Sequence, residues 1–285
     1  MPEATADSWL EIVRSDRPRG PFRAVVFDFD GTLSLLRVNW QGLMIPRMVD
    51  ILVATGTSET RHELQALVTE FVTRLTGQPT MLQMEALADE VARRGQPRPD
   101  PQVHFDEYLE LLLAQTARRI EAVKSGQASA DDMLVPGSRA LVEQLARRGL
   151  LLVISSGTDL AHVQSETIIL GLDPFFGPRI HGPVKNDPAF SKQRVLEELI
   201  AEQGLRGSEV ACIGDGPAEM LAARNVGALA IGVASDEVER SGRINTLKRE
   251  HLLRAGAEVI VPDYRRIDDL LMVLGLARGG EGETG

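Results

Sequence analysis

The chain has 285 residues, 43% of them hydrophobic and 25% charged, a balance that excludes a disordered or fibrous polymer and leaves one large domain or two smaller ones open. A formal net charge of −10 repels nucleic acid and anionic membrane surfaces, and the basic residues gather only in pairs such as Arg147–Arg148 and Lys248–Arg249, read as solvated helix faces. Cys212 is the single cysteine, so no intrachain disulfide forms, and no apolar run approaches the roughly 18 residues that span a bilayer. The opening MPEATADSWLEIVRSDRPRG carries acidic groups early and no apolar stretch of signal-peptide length, so a soluble, cytoplasmic protein without nucleic-acid or membrane partners is expected.

In chain order, Ser8-Trp9-Leu10-Glu11 has the spacing of a capping box, and Trp9, Ile12 and Val13 share a helical face, which predicts a leading helix. The Arg17–Pro21 stretch breaks it. Phe22 to Phe29 (FRAVVFDF) follows as an apolar run without strict alternation, which suits a strand covered on both faces. From about 39 to 132 the apolar spacing turns to threes and fours, predicting helices near 42–54, 60–76, 81–94 and 104–123. Gly56, Gly77-Gln78-Pro79 and the Pro-rich stretch from Gly95 to Pro101 separate them.

After Val135-Pro136-Gly137 helix and strand alternate: a helix to Arg148, strand Leu150–Ser155, a helix to Leu170, and an extended piece at Arg179–His181. A helix from Ser191, strand Glu209–Ile213, a helix from Pro217 and strand Leu229–Val233 come next, then a helix near 244–255, strand Glu258–Val261 and a last helix to about Leu276. Such alternation predicts right-handed crossovers and a parallel sheet, an α/β fold. The helical block separates the first strand from the rest, so residues 1–36 and 134–277 are expected to form a discontinuous core and 37–133 an inserted all-helical cap. The hinges fall near Leu35–Val38 and Met133–Pro136, and the Gly- and Glu-rich 278–285 is expected to be a disordered tail.

Asp28 and Asp30 close the first strand in Asp28-Phe29-Asp30-Gly31-Thr32-Leu33, and side chains two apart on a strand point the same way, toward the sheet edge where open α/β folds bind ligands. Asp215, in Gly214-Asp215-Gly216-Pro217-Ala218-Glu219, ends another strand and joins them, giving an oxygen site suited to Mg²⁺. Ser155 and the N–H groups that follow it lie at a helix start and suit an anion, and Lys192, just inside a helix, offsets negative charge. Singly these have ordinary readings, a turn, a helix cap or a solvated lysine; together, in order along one sheet, they define a phosphate site.

This set resembles the haloacid dehalogenase superfamily of phosphatases, over about 22–34 and 136–275. The resemblance implies a Rossmann-like parallel-sheet core with an inserted helical cap of the C1 type, in the branch of phosphoglycolate phosphatases and phosphoglucomutases. The family's DxDGT(L) motif is Asp28 to Leu33, its Ser/Thr motif is Ser155, its lysine is Lys192, with Lys185 as a rival in a Gly/Pro-rich loop, and its GDxxxD motif starts at Gly214. It implies Asp28 as nucleophile through an aspartyl phosphate and Asp30 as acid/base. It also implies phosphate contacts from Thr32, Ser155, Ser156, Gly157 and Lys192, and Mg²⁺ held by Asp28, the Asp30 carbonyl and Asp215. Glu219 stands where the family usually has aspartate and is a further candidate for the metal or its water shell.

The expected activity is hydrolysis of a small phosphate monoester, a sugar or polyol phosphate, with a phosphomutase or a non-catalytic phosphate-binding regulator as the alternatives. The sequence leaves the oligomeric state open. Specificity is expected from Arg37, Asn39, Trp40 and Gln41, which follow the first motif, and from Gln78 in a loop of the cap, although Trp40 is equally read as packing at the base of the cap.

Overall fold

The computed structural model describes residues 9–276 apart from Ser15, Pro18, Arg19, Gly77, Asn186 and Pro188. Ser8 of the expected capping box and the expected tail 278–285 lie outside the described residues. A sheet of seven strands, β1 (Glu11–Ile12), β2 (Ala24–Phe27), β3 (Leu151–Ser155), β4 (Ile180–His181), β5 (Val210–Gly214), β6 (Leu229–Val233) and β7 (Val259–Val261), runs in the order β1-β7-β6-β5-β2-β3-β4. All neighbours are parallel except β1, which is antiparallel to β7.

Every residue of β2, β5 and β6 is buried, the outcome that non-alternating apolar runs require. Alternate side chains serve two layers. Val25 and Phe27 pack with Leu141 and Leu145 of α5 (Ser138–Arg147), Val163 of α6 (Leu160–Ile169), Phe176 of α7 (Asp173–Phe176) and Leu270 of α11 (Ile267–Val273). Ala24 and Val26 pack with Leu196 of α8 (Lys192–Gln203), Met220 of α9 (Pro217–Val226) and Leu252 of α10 (Thr246–Ala255).

Between β2 and α5 the chain forms α1 (Trp40–Val53), α2 (Arg61–Arg74), α3 (Thr80–Arg93) and α4 (Pro101–Lys124). These helices bury their own core, built on Met44, Met48, Leu52, Leu64, Val68, Phe71, Met84, Leu87 and Phe105. Thr60 and Glu63 cap α2 reciprocally. α4 begins before the expected 104 because Asp100 accepts from Gln102 N–H at 2.9 Å and Pro101 takes the first helical position, where its missing N–H costs nothing. The two passages between this bundle and the sheet run side by side: Leu35 N–H donates to Met133 O at 2.8 Å and Val135 N–H to Leu33 O at 3.0 Å. Among the described residues no helix is long and apolar enough to cross a membrane.

The expected leading helix is corrected. Glu11–Ile12 is a strand on the open edge of β7, opposite Ile260 and Val259, and Val13 N–H continues the pairing to Glu258 O at 2.9 Å. The Glu11 carboxylate accepts from Arg249 Nε at 2.6 Å and Nη2 at 2.8 Å, and Trp9 lies under the Arg266 guanidinium at 5.8 Å. An unpaired edge of a buried sheet offers more than a short helix gains from its cap, so tertiary pairing overrides the local signal.

Leu52, fully buried where α1 meets its neighbours, reports on the separate core of the helical block. Leu52→Ala is expected to cost about 2–5 kcal/mol of unfolding free energy, measured by urea denaturation. A loss within the range of an exposed substitution would mean that this core carries little stability.

Candidate active site

The register of the central strands sets Phe27 beside both Ile154 and Ile213, so the residues just beyond leave the sheet together at its carboxyl edge. Asp28 N–H extends the ladder to Ile213 O at 2.9 Å. The carboxylates of Asp28, Asp30 and Asp215 consequently line one cleft of about 70 Å³, with Ser156, Gly157 and Thr158 on its sheet side. Arg37, Trp40, Thr76, Gln78, Thr80, Gln83, Tyr108 and Leu112 supply its other walls, from the hinge and the helical block.

At the base, Lys192 Nζ donates to Asp28 Oδ1 at 2.6 Å and to Glu219 Oε1, and all three side chains are buried. Burial pushes the Asp28 carboxyl well above its ordinary range, against the pull of Lys192. Burial also works to lower Lys192, but the charges of Asp28 and Glu219 outweigh it and hold the ammonium above its usual value. Glu219 Oε2 accepts the Gly216 N–H at 3.1 Å, closing the cap of α9. Both oxygens of Glu219 therefore have partners other than the expected metal. Its longer chain lies over Gly214, where a Cβ would come 2.4 Å from Glu219 Cγ. Lys185 is exposed in its loop and Lys192 is the lysine brought to Asp28.

Asp215 Oδ2 accepts from Lys248 Nζ at 2.8 Å, and the same ammonium bonds Glu237 and reaches Ser235 Oγ at 3.4 Å. Reading Lys248–Arg249 as a solvated pair is thus corrected: Lys248 is 23% exposed and Arg249 is tied to Glu11. Gly31, at φ +74°, makes this possible, since a Cβ there would lie 2.2 Å from Asp215 Oδ2.

The Asp30 carboxylate has partners of its own. Oδ2 accepts from Thr158 Oγ1 at 2.8 Å and faces Arg37 Nη1 at 3.7 Å, while Oδ1 is buried without a partner. The hydroxyls of Thr32 and Ser155 are likewise buried without a protein partner, although neither residue lines the cleft, where Ser156 and Gly157 are the expected phosphate contacts that do. Among the described residues no three Asp, Glu, His or Cys side chains are grouped closely enough to hold a metal by themselves, although Asp28, Asp30 and Asp215 share the cleft as expected. The Asp28 and Asp215 carboxylates both line the cleft, and so small an oxygen set suits a hard cation that keeps several waters.

The remaining expected residues divide. Arg37, Trp40 and Gln78 line the cleft, whereas Asn39 and Gln41 line an adjoining groove of about 220 Å³ with Asp236, Glu237 and Lys248. Asn39 takes φ 69° before α1, and its side chain folds over Gly42. No sequence signal marks Tyr108, Thr158, Glu166 or Glu237, which reach the site from separate loops and helices; Thr158, two residues beyond Ser156, is the one within reach of a motif. Glu166 on α6 accepts from Arg37 Nη2 at 2.5 Å.

The model of the haloacid dehalogenase-like hydrolase family matches residues 22–227. A phosphoglycolate phosphatase of Synechococcus elongatus is 31% identical over 121 residues, which cover 42% of this chain and 55% of that protein, so the chain spans little more than half the length of the curated relative it matches. Two solved structures share the fold. A hydrolase of the same superfamily from Deinococcus radiodurans R1, with bound phosphate and sodium, is 18% identical with a TM-score of 0.53 over 90% of this chain and 98% of that one. The β-phosphoglucomutase of Clostridium difficile is 14% identical with a TM-score of 0.55 over 89% and 97%.

Burial pushes the Glu166 carboxyl from 4.5 up to about 7, against the pull of Arg37. A carboxyl raised on folding binds its proton more tightly in the native state, so its contribution to stability is full below 4.5 and is lost as pH rises through about 7. The stability of the parent relative to Glu166→Gln is therefore expected to fall between these limits, by at most one proton's worth of slope, in urea denaturation at a series of pH values. Parallel curves would show that Glu166 titrates normally.

Proposed function

Since the chain belongs to the haloacid dehalogenase-like hydrolases, we propose that it is a Mg²⁺-dependent phosphatase that hydrolyses a small sugar or polyol phosphate through an aspartyl phosphate on Asp28. The observation that carries this reading is the buried Lys192 bonded to Asp28, which lines the cleft together with Asp30, Asp215, Ser156 and Gly157. Lys192 holds Asp28 Oδ1, so Oδ2 is the attacking atom, and the ammonium offsets the repulsion between carboxylate and phosphate. Ser155, Thr32 and the N–H groups of Ser156 and Gly157 receive the phosphoryl oxygens. Asp28, Asp215 and the Asp30 carbonyl would hold Mg²⁺, which would supply neutralisation of phosphoryl charge. Asp30 protonates the leaving oxygen and then takes a proton from the water that hydrolyses the intermediate.

The walls favour a neutral leaving group. Among the described residues lining the cleft, Arg37 is the one cation, and Glu166 and Asp30 already face it. Thr76, Gln78, Thr80, Gln83 and Tyr108 present neutral polar groups and Trp40 an aromatic face, a set that matches hydroxyls better than a carboxylate. The name of the Synechococcus relative, with its acidic substrate, speaks for that protein.

Asp28→Asn is expected to lower phosphate release by at least about a thousandfold with little change in melting temperature, because it removes a nucleophile and leaves its shape. Residual turnover near the parent's would remove the covalent mechanism. Exhaustive chelation is expected to abolish activity and Mg²⁺ to restore it; full activity in metal-free enzyme would show that Asp28 and Asp215 do not serve a cation. Across a panel scored by release of inorganic phosphate, neutral polyol phosphates are expected to exceed phosphoglycolate in kcat/KM by about tenfold or more, the scale set by one mismatched polar contact. The reverse order would refute the polyol reading.

A further inference from the structure

We propose that Thr158 and Arg37 are positioning residues that fix the Asp30 carboxyl group, so that Oδ1 is the oxygen that exchanges the proton with the leaving group. The proposal rests on the reading of Asp30 as the acid/base.

The assignment of oxygens follows from the neighbours. Oδ2 lies 2.8 Å from Thr158 Oγ1, which donates to it, and 3.7 Å from Arg37 Nη1, and a guanidinium has no acceptor. An oxygen faced by a donor and a cation stays unprotonated, which sends the proton of the acid form to the other oxygen. Oδ1 is buried and has no protein partner, and Asp30 lines the cleft. A carboxyl free to rotate would present either oxygen; with Oδ2 held, the proton waits on the one without a partner.

Arg37 is itself held from two sides. Its Nη2 donates to Glu166 Oε1 on α6 at 2.5 Å, and the chain on either side of it is pinned from the helical block, where Arg119 Nη1 of α4 donates to Leu36 O at 3.1 Å and Val38 O at 3.5 Å. At 5% exposure, with its charge already shared by two carboxylates, Arg37 acts on the reaction through Asp30 rather than by grasping substrate hydroxyls. Sheet and helical block thereby meet on the group that handles the proton.

The step balances. As Asp28 Oδ2 bonds to phosphorus, the bond from phosphorus to the ester oxygen breaks and its electron pair stays on that oxygen. The proton on Asp30 Oδ1 moves to the same oxygen, which departs as an alcohol, and Asp30 is left as the carboxylate. It then removes a proton from the water whose oxygen displaces Asp28 from phosphorus, and is returned to the acid form.

A dinitrophenol leaves without help, whereas phenol needs the proton, so the test is single-turnover release of each from dinitrophenyl phosphate and phenyl phosphate, which isolates the first step. Thr158→Val, nearly the same shape, and Arg37→Gln are expected to lose at least about tenfold more on phenyl phosphate than on dinitrophenyl phosphate, within the range general acids supply, with Thr158→Ser restoring the parent ratio. Asp30→Asn is the reference. If it shows the steep leaving-group dependence while Thr158→Val and Arg37→Gln lose equally on both esters, the positioning role is overturned and the acid reading survives. If Asp30→Asn itself loses equally on both, the acid reading fails and the proposal with it.

Discussion

The site depends on one buried interaction, the Lys192 ammonium between Asp28 and Glu219. Two carboxylates enclosed this deeply repel each other and lose their hydration, and the cation between them offsets both costs. The arrangement is costly to assemble and costlier to break, since removing the lysine strands two buried acids. It also fixes geometry: a side chain from the first turn of α8 and one from the first turn of α9 meet at the residue that follows β2. Two crossover helices and the end of a central strand are thereby registered on one atom, and the position of Asp28 is set by the fold as a whole.

Much of this was legible in the sequence because it is local. A run such as Ala24–Phe27, apolar at every position, has one stable home, the middle of a doubly covered sheet, and the aspartates that follow must then emerge at its edge. The same holds for Val210–Gly214 and Asp215. The illegible part is what tertiary structure alone decides. Glu11–Ile12 is a strand because β7 has an open edge, a fact no window around Trp9 contains. Lys248 and Arg249 are adjacent in sequence and look equally solvated, yet one turns to Asp215 and the other to Glu11 on the far edge of the sheet. Glu219 fills a motif position, but its extra methylene lies over Gly214 and brings the carboxylate to Lys192.

The same logic repeats around the cleft. Each motif aspartate faces a cation, and each cation is anchored by a glutamate behind it: Asp28 with Lys192 and Glu219, Asp215 with Lys248 and Glu237, Asp30 with Arg37 and Glu166. The outer glutamates come from α9, from the loop after β6 and from α6, so the pattern belongs to no single motif. Its physical use is orientation. A cation shared by two carboxylates cannot swing toward either without abandoning the other, so each aspartate keeps one oxygen engaged and the second free for chemistry.

This pattern leaves an excess of negative charge at the carboxyl edge, since two acids accompany every cation. Part is relieved where burial raises Glu166 to about 7, so that near neutrality the Arg37 group is closer to balance than its ionic formula suggests. The Asp28 and Asp215 carboxylates line the same small cleft. On the proposed reading a divalent cation there would offset the repulsion that a phosphate adds to, and the two sides of the cleft would serve different parts of the substrate. The Asp28–Asp215 side, rich in charge, would then take cation and phosphate, and the Asp30–Arg37 side, closer to neutral and walled by Tyr108 and the glutamines of the helical block, the uncharged alcohol of the proposed substrate.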